Sequence, residues 1–193
     1  LANEMPTKEK EIEKAFLEWQ RENSIILSPR QAEAVKNLKY RISIVTGGPG
    51  TGKTTCLRAI MDVYHKVWPS EHILLMAPTG LAAKRMAEST GMNSATIHKA
   101  CGLVPADNPS GFKPQGECRI CGFVGIDEMS MVGEHLFAFA VDAVLNSPST
   151  RIVLLGDTDQ LAPVSRGDVL RDLIECGVIK TVRLDVNYRQ GST

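Results

Sequence analysis

No stretch of this 193-residue sequence approaches the ~20 consecutive apolar residues that a membrane-spanning helix needs, so a membrane partner is not expected. The first apolar-rich segment, residues 12–19, is broken by Glu13, Lys14 and Glu18 and does not read as a secretory leader. Net charge is missing too. Lys and Arg total 22 against 22 Asp and Glu, so no global basic footprint announces nucleic acid, and any such contact must be local. A Lys/Arg-rich run is also lacking, which predicts weak electrostatic affinity for nucleic acid. The five cysteines, at 56, 101, 118, 121 and 176, are odd in number and scattered, unlike a disulfide framework, and a cytoplasmic setting is expected. There is no internal repeat and no low-complexity tract. The chain opens Leu1-Ala2-Asn3 without an initiator Met and stops soon after a recognisable motif, so we expect an excised piece of a longer protein.

What is present is an ordinary globular composition with a clear alternation. Residues 7–22 place Ile12, Ala15, Phe16 and Trp19 at helical spacing among charged residues, and a second helix opens at Ser28, an N-cap with Pro29 behind it. From Arg41 onward, apolar runs at 42–46, 73–76, 123–126 and 152–155, with a weaker one at 179–184, alternate with predicted helices at 53–66, 80–89, 133–145 and 168–175. Leu57, Ile60, Met61 and Tyr64 give the first of these helices one apolar face. Apolar runs alternating with helices predict an α/β fold with a mostly parallel sheet and helices on both faces. Residues 103–116, with three prolines and two glycines, read as an irregular loop. The expected organisation is N-terminal helices over 1–40, an α/β domain over 41–184, and a link to a further domain over 185–193.

The run 42–46 leads straight into Gly47-Gly48-Pro49-Gly50-Thr51-Gly52-Lys53-Thr54-Thr55, a G-x-x-x-x-G-K-T phosphate loop between a buried strand and an amphipathic helix. Glycines let backbone N–H groups converge on phosphate oxygens, and the helix N-terminus adds favourable partial charge. Gly48, Pro49, Gly50, Thr51, Gly52, Lys53, Thr54 and Thr55 form the expected ATP-binding set. Lys53 suits the β- and γ-phosphates and the Thr54 hydroxyl suits Mg²⁺. After the strand at 123–126 comes Asp127-Glu128, with Asp127 placed for a second Mg²⁺ contact and Glu128 for deprotonating an attacking water. The adjacent glutamate favours hydrolysis over phosphoryl transfer to a metabolite. No Asn-Lys-x-Asp guanine-reading signature is present.

Further elements narrow this reading. Residues 152–164, containing Gly156-Asp157-Thr158-Asp159-Gln160, resemble motif III of superfamily 1 helicases, and Met76-Ala77-Pro78-Thr79-Gly80 resembles their motif Ia. Ala95-Thr96-Ile97-His98 resembles the next DNA-contacting element, Asp127-Glu128-Met129-Ser130-Met131-Val132 resembles motif II, and Leu184-Asp185-Val186-Asn187-Tyr188-Arg189-Gln190 resembles motif IV. The Thr96-Ile97-His98 element and the motif II form look most like the RecD/TraA branch. The resemblance implies a RecA-like first motor domain that couples Mg²⁺-dependent ATP hydrolysis to 5′ to 3′ travel on single-stranded DNA. It implies a γ-phosphate sensor at Gln160, adenine stacking by Tyr188, a γ-phosphate contact from Arg189, and DNA contacts from Thr79 and His98. It also implies a second RecA-like domain in the parent chain and, as partners, other helicase or nuclease subunits.

Two features read two ways. Ser28-Pro29-Arg30-Gln31 resembles the family's adenine-reading Q element, which favours Gln31 as an adenine contact. The same Ser-x-x-Gln is a capping box, in which Gln31 bonds back to Ser28. Cys118-Arg119-Ile120-Cys121 has the spacing of a zinc half-site, but no second half-site follows, and Cys121 runs into a strand where cysteine usually acts as a small hydrophobe. Two rival functions remain in view: a P-loop ATPase of the loader or partition type, and a scaffold that holds nucleotide and DNA without unwinding. The sequence alone predicts that residues 1–193 by themselves turn over ATP very slowly.

Overall fold

The computed structural model describes residues 8–108, 111–115, 121–144, 149–160 and 166–185. Two helices come first: α1 (Glu9–Asn23) and α2 (Pro29–Lys36). Then follow β1 (Ile42–Gly47), α3 (Lys53–Val67), β2 (Ile73–Ala77), α4 (Gly80–Thr90), β3 (Ser94–Thr96) and α5 (Ile97–Ala100). A hairpin of β4 (Leu103–Pro105) and β5 (Phe112–Pro114) precedes β6 (Phe123–Ile126), α6 (Glu134–Val144), β7 (Arg151–Gly156), α7 (Val169–Glu175) and β8 (Lys180–Leu184). Six strands form one sheet in the order β3-β2-β6-β7-β1-β8, and every pairing in it is parallel. No helix among the described residues is long and apolar enough to cross a membrane.

Period-two alternation divides the strand side chains between two cores. Val45, Leu75, Phe123, Val153, Leu155, Val182 and Leu184 face one side, where they meet α1, α2 and α3. Ile44, Met76, Val124, Ile126, Ile152 and Leu154 face the other, where they meet Ile97, Ala140, Val144 and Leu170. Both faces are therefore covered, as the unbroken apolar runs predicted. The N-terminal helices share the first core. Ile12, Phe16 and Trp19 of α1 pack in the same cluster as Leu57 and Ile60 of α3, and the Trp19 Nε1–H donates to Asp62 Oδ2 at 2.7 Å.

Two short elements depart from the sequence reading. Residues 103–116 are not wholly irregular, since β4 and β5 pair antiparallel with Leu103 opposite Pro114 and Pro105 opposite Phe112. Pro105 and Pro114 sit at strand ends of a two-stranded ribbon, where a missing N–H costs little, and Gly111 takes a left-handed φ of 74° at the turn. The three-residue edge strand β3, beside β2, is too short to leave a periodic signal.

Because Trp19 is only 2% exposed within the shared core, Trp19→Ala is expected to lower unfolding free energy by about 3–5 kcal/mol in urea melts. An unchanged midpoint would mean that α1 is an appendage and not part of the core.

Candidate active site

In a parallel sheet every strand delivers its C-terminal end to one edge, and here that edge collects the chemistry. β1 ends at the glycine loop, β6 at Asp127-Glu128, β7 at residues 157–160, and β2 at Pro78-Thr79. Three of these segments, together with α4, enclose a cavity of about 530 Å³. Its walls are Gly48, Pro49, Gly50, Gly52, Lys53, Thr54 and Thr55 from the loop and the start of α3, then Asp127 and Glu128 after β6, and Gln160 after β7. The fourth wall is Ala82, Arg85, Met86 and Ser89 of α4.

The loop's shape depends on its glycines. Gly50 and Gly52 hold φ of 79° and 84°, a left-handed region that side chains disfavour. The Thr51 hydroxyl donates to the Gly48 carbonyl at 2.8 Å and braces the turn. Lys53 curls back over the loop. Its Nζ donates to the carbonyls of Gly47 and Gly48, the latter at 3.0 Å, so its ammonium stands at the loop's mouth.

The two acids are held in different ways. The Asp127 backbone N–H donates to the Met76 carbonyl at 3.0 Å, and its Oδ1 accepts from the Glu128 N–H at 2.8 Å. Burial raises the Asp127 pKa, opposed by that hydrogen bond and by the positive charge of Lys53. Glu128 is likewise raised, first by burial and then by its neighbour Asp127, while Lys53 and Arg85 pull it back down. Glu128 has φ of 55°, a conformation that costs a non-glycine residue about 1–2 kcal/mol. Its carbonyl accepts from Met131 N–H at 2.9 Å, opening a short 3-10 turn over Met129–Met131.

That turn touches the segment after β7. The Ser130 hydroxyl reaches Gln160 Oε1 at 3.4 Å, and Gln160 Nε2 reaches Asp157 Oδ2 at 3.4 Å. Asp157 is buried, and its Oδ1 also accepts from the Asp159 N–H at 3.0 Å. Gln160 is thus held between the acidic turn and its own loop.

Other residues singled out by sequence lie elsewhere. Gln31 does not line the cavity. Both halves of the capping box are formed, with the Ser28 N–H donating to Gln31 Oε1 at 3.0 Å and the Gln31 N–H donating to Ser28 Oγ at 3.3 Å. Gln31 is buried beside α3, where Cys56 Sγ approaches its carbonyl at 3.8 Å, so the capping role that competed with adenine reading engages its amide oxygen. Thr79 caps α4, its hydroxyl oxygen accepting from Ala82 N–H at 3.2 Å. His98 follows β3 on the same edge of the sheet, half-buried, with its ring centroid 4.4 Å from that of Phe112. Burial lowers its pKa, so near neutral pH the ring acts as a hydrogen-bonding group and not as a cation. Tyr188, Arg189 and Cys118 lie outside the described residues, while Cys121 is buried in the second core.

Sequence reasoning missed the α4 wall. The signal was present, because residues 82, 85, 86 and 89 share one helical face by their spacing, but a helical stripe after motif Ia reads first as core.

A family model described as "AAA domain" matches residues 26–193. The chain is 37% identical over 168 residues to the ATP-dependent RecD2 DNA helicase of Deinococcus radiodurans, covering 86% of this chain and 22% of that protein. It is 35% identical over 187 residues to the RecBCD enzyme subunit RecD of Mycolicibacterium smegmatis, covering 85% of this chain and 33% of that one. The chain therefore spans a third or less of these relatives. Among solved structures, the Pif1 helicase from Candida albicans superposes with a TM-score of 0.61 at 27% identity, over 86% of this chain and 41% of that one. Bacteroides Pif1 bound to single-stranded DNA superposes at 0.58 and 20% identity, over 87% and 44%, a likeness of fold. With a phosphate loop, paired acids and Gln160 on one edge of a parallel sheet, the chain belongs to the AAA domain family and is a relative of the RecD helicases.

Proposed function

We propose that this chain is the ATP-hydrolysing first RecA-like motor domain of a DNA helicase, which in the whole protein drives 5′ to 3′ travel on single-stranded DNA. The observation that carries the proposal is the convergence of Lys53, Asp127, Glu128 and Gln160 on one cavity. A nucleotide-holding scaffold needs the loop and Lys53 but has no use for a carboxylate facing the cavity in Glu128's place.

Each residue has a distinct task. The backbone N–H groups of residues 50–54, at the end of the loop and the start of α3, bind phosphate oxygens. Lys53 exchanges the loop carbonyls for the β- and γ-phosphates. Thr54 and Asp127 are the residues that would hold Mg²⁺, and the site fits it: a hydroxyl and a half-buried carboxylate, both hard oxygen donors, share the cavity wall. When bound, the ion neutralises charge on the β- and γ-phosphates. Glu128 accepts the proton of the attacking water, and its raised proton affinity improves it as a base. Gln160, tethered to Ser130 and Asp157, carries the state of the γ-phosphate into the segment after β7.

The proposed DNA track runs along the β2–β3 side of the same edge, a reading supported by Thr79 and His98 following neighbouring strands. A hydroxyl, a neutral imidazole and the N–H groups of a helix start contact phosphates without a basic patch, which suits the chain's zero net charge. A second RecA-like domain supplies the other wall of the nucleotide cleft, to which Tyr188 and Arg189 belong. The RecBCD subunits among the relatives make further helicase or nuclease subunits the partners proposed for the parent.

The roles of Lys53 and Glu128 separate experimentally. Lys53→Ala should abolish binding of a fluorescent ATP analogue, whereas Glu128→Gln should bind it as the parent does and hydrolyse ATP at least about a hundredfold more slowly. Equal binding by the two variants would refute this division. An arginine supplied from outside the domain is worth about 10³-fold or more in turnover, so residues 1–193 alone should hydrolyse ATP very slowly, with or without single-stranded oligonucleotide. Vigorous DNA-stimulated turnover by these residues would remove the need for a second domain.

A further inference from the structure

Helix α4 enters the cavity with a charge that the roles assigned above leave unused. Its register is fixed from below, where Ala83 and Met86 are buried, and from its start, where Thr79 caps it. This register turns Ala82, Arg85 and Ser89 toward the phosphate loop. The neighbouring Lys84 points away and pairs with Glu88 at 3.8 Å. Arg85 makes no ion pair within 4 Å among the described residues.

The charge balance of the lining makes Arg85 consequential. Two cations, Lys53 and Arg85, and two carboxylates, Asp127 and Glu128, face the cavity. Without Arg85 the acids would outnumber the cations around a ligand that is itself strongly anionic. The position of Arg85 within the cavity follows from its neighbours. It lines the same cavity as Glu128, the residue to which the water-activating role is assigned above.

We propose that Arg85 is a γ-phosphate contact contributed by α4, a cation supplied in cis that lets this domain distinguish a nucleoside triphosphate from a diphosphate. The assignment rests on the ATP-site reading of the cavity. A guanidinium forms paired N–H···O bonds to phosphate oxygens, and α4 begins directly after Thr79, in the segment proposed to follow DNA. Contact between Arg85 and the γ-phosphate would therefore join nucleotide state to the DNA-facing helix by one rigid element.

The test is equilibrium binding of a non-hydrolysable ATP analogue and of ADP to residues 1–193, with thermal melts to verify folding. Losing a charge-assisted phosphate contact should weaken the triphosphate about tenfold in Arg85→Ala, leave ADP unchanged, and be partly rescued in Arg85→Lys. Lys84→Ala, on the outer face, should match the parent for both ligands. Equal weakening of both nucleotides, no change in either, or a loss confined to oligonucleotide binding would overturn the assignment while leaving the nucleotide site in place. Failure of the parent to bind either nucleotide would instead refute the ATP-site reading, and Arg85's role with it.

Discussion

The parallel register of the central sheet is the constraint on which the rest depends. Gly47 at the end of β1 pairs with Leu184, Thr46 lies opposite Gly156 of β7, and Ile126 of β6 lies opposite Leu154. Each strand therefore stops at nearly the same level, and the segments that follow meet at one edge. A parallel arrangement needs covered faces, and the apolar surface buried there supplies the stability that an irregular, polar edge cannot. Close packing carries the register up to the site: a Cβ on Gly156 would come within 2.6 Å of Leu170 Cδ2 and 3.2 Å of Met129 Cβ. The strand that leads to Gln160 and the turn that follows Glu128 are thus pressed together at a residue with no side chain.

That edge stores unfavourable terms. Asp127 and Glu128 are adjacent carboxylates that burial disfavours as charges, Glu128 sits in a left-handed conformation, and Lys53 is drawn onto backbone carbonyls. In the function proposed above, a bound nucleotide and its cation would offset the carboxylate charges and draw Lys53 onto phosphate, so the polar groups of the cavity are preorganised for such a ligand. The local cost is carried by two large cores and by the N-terminal helices that extend the first of them.

Much of this was legible in the sequence because the signals were local. A glycine loop between a strand and a helix, and acids at a strand end, each lie within a few consecutive residues, and the long apolar runs named every major strand. Short elements left no such trace, so β3 emerged only from its pairing with β2 and the β4–β5 hairpin only from its three paired positions. Gln31 shows a different limit, since Ser-x-x-Gln is a capping box as well as resembling the adenine-reading element that the sequence favours, and only the folded chain shows where the amide oxygen is engaged. Arg85 was illegible for a third reason. Its partners, Lys53 and Glu128, lie 32 residues before and 43 residues after it, and helical spacing alone cannot tell a cavity wall from a core face.

The most direct measurement is a crystal structure of the Glu128→Gln variant grown with ATP and Mg²⁺. The account predicts a triphosphate in the cavity between the glycine loop and α4. Lys53 Nζ should have left the Gly47 and Gly48 carbonyls for phosphate oxygens, and the metal should lie on Thr54 and Asp127. Nucleotide bound elsewhere, or Lys53 still resting on the loop carbonyls beside an occupied site, would contradict it.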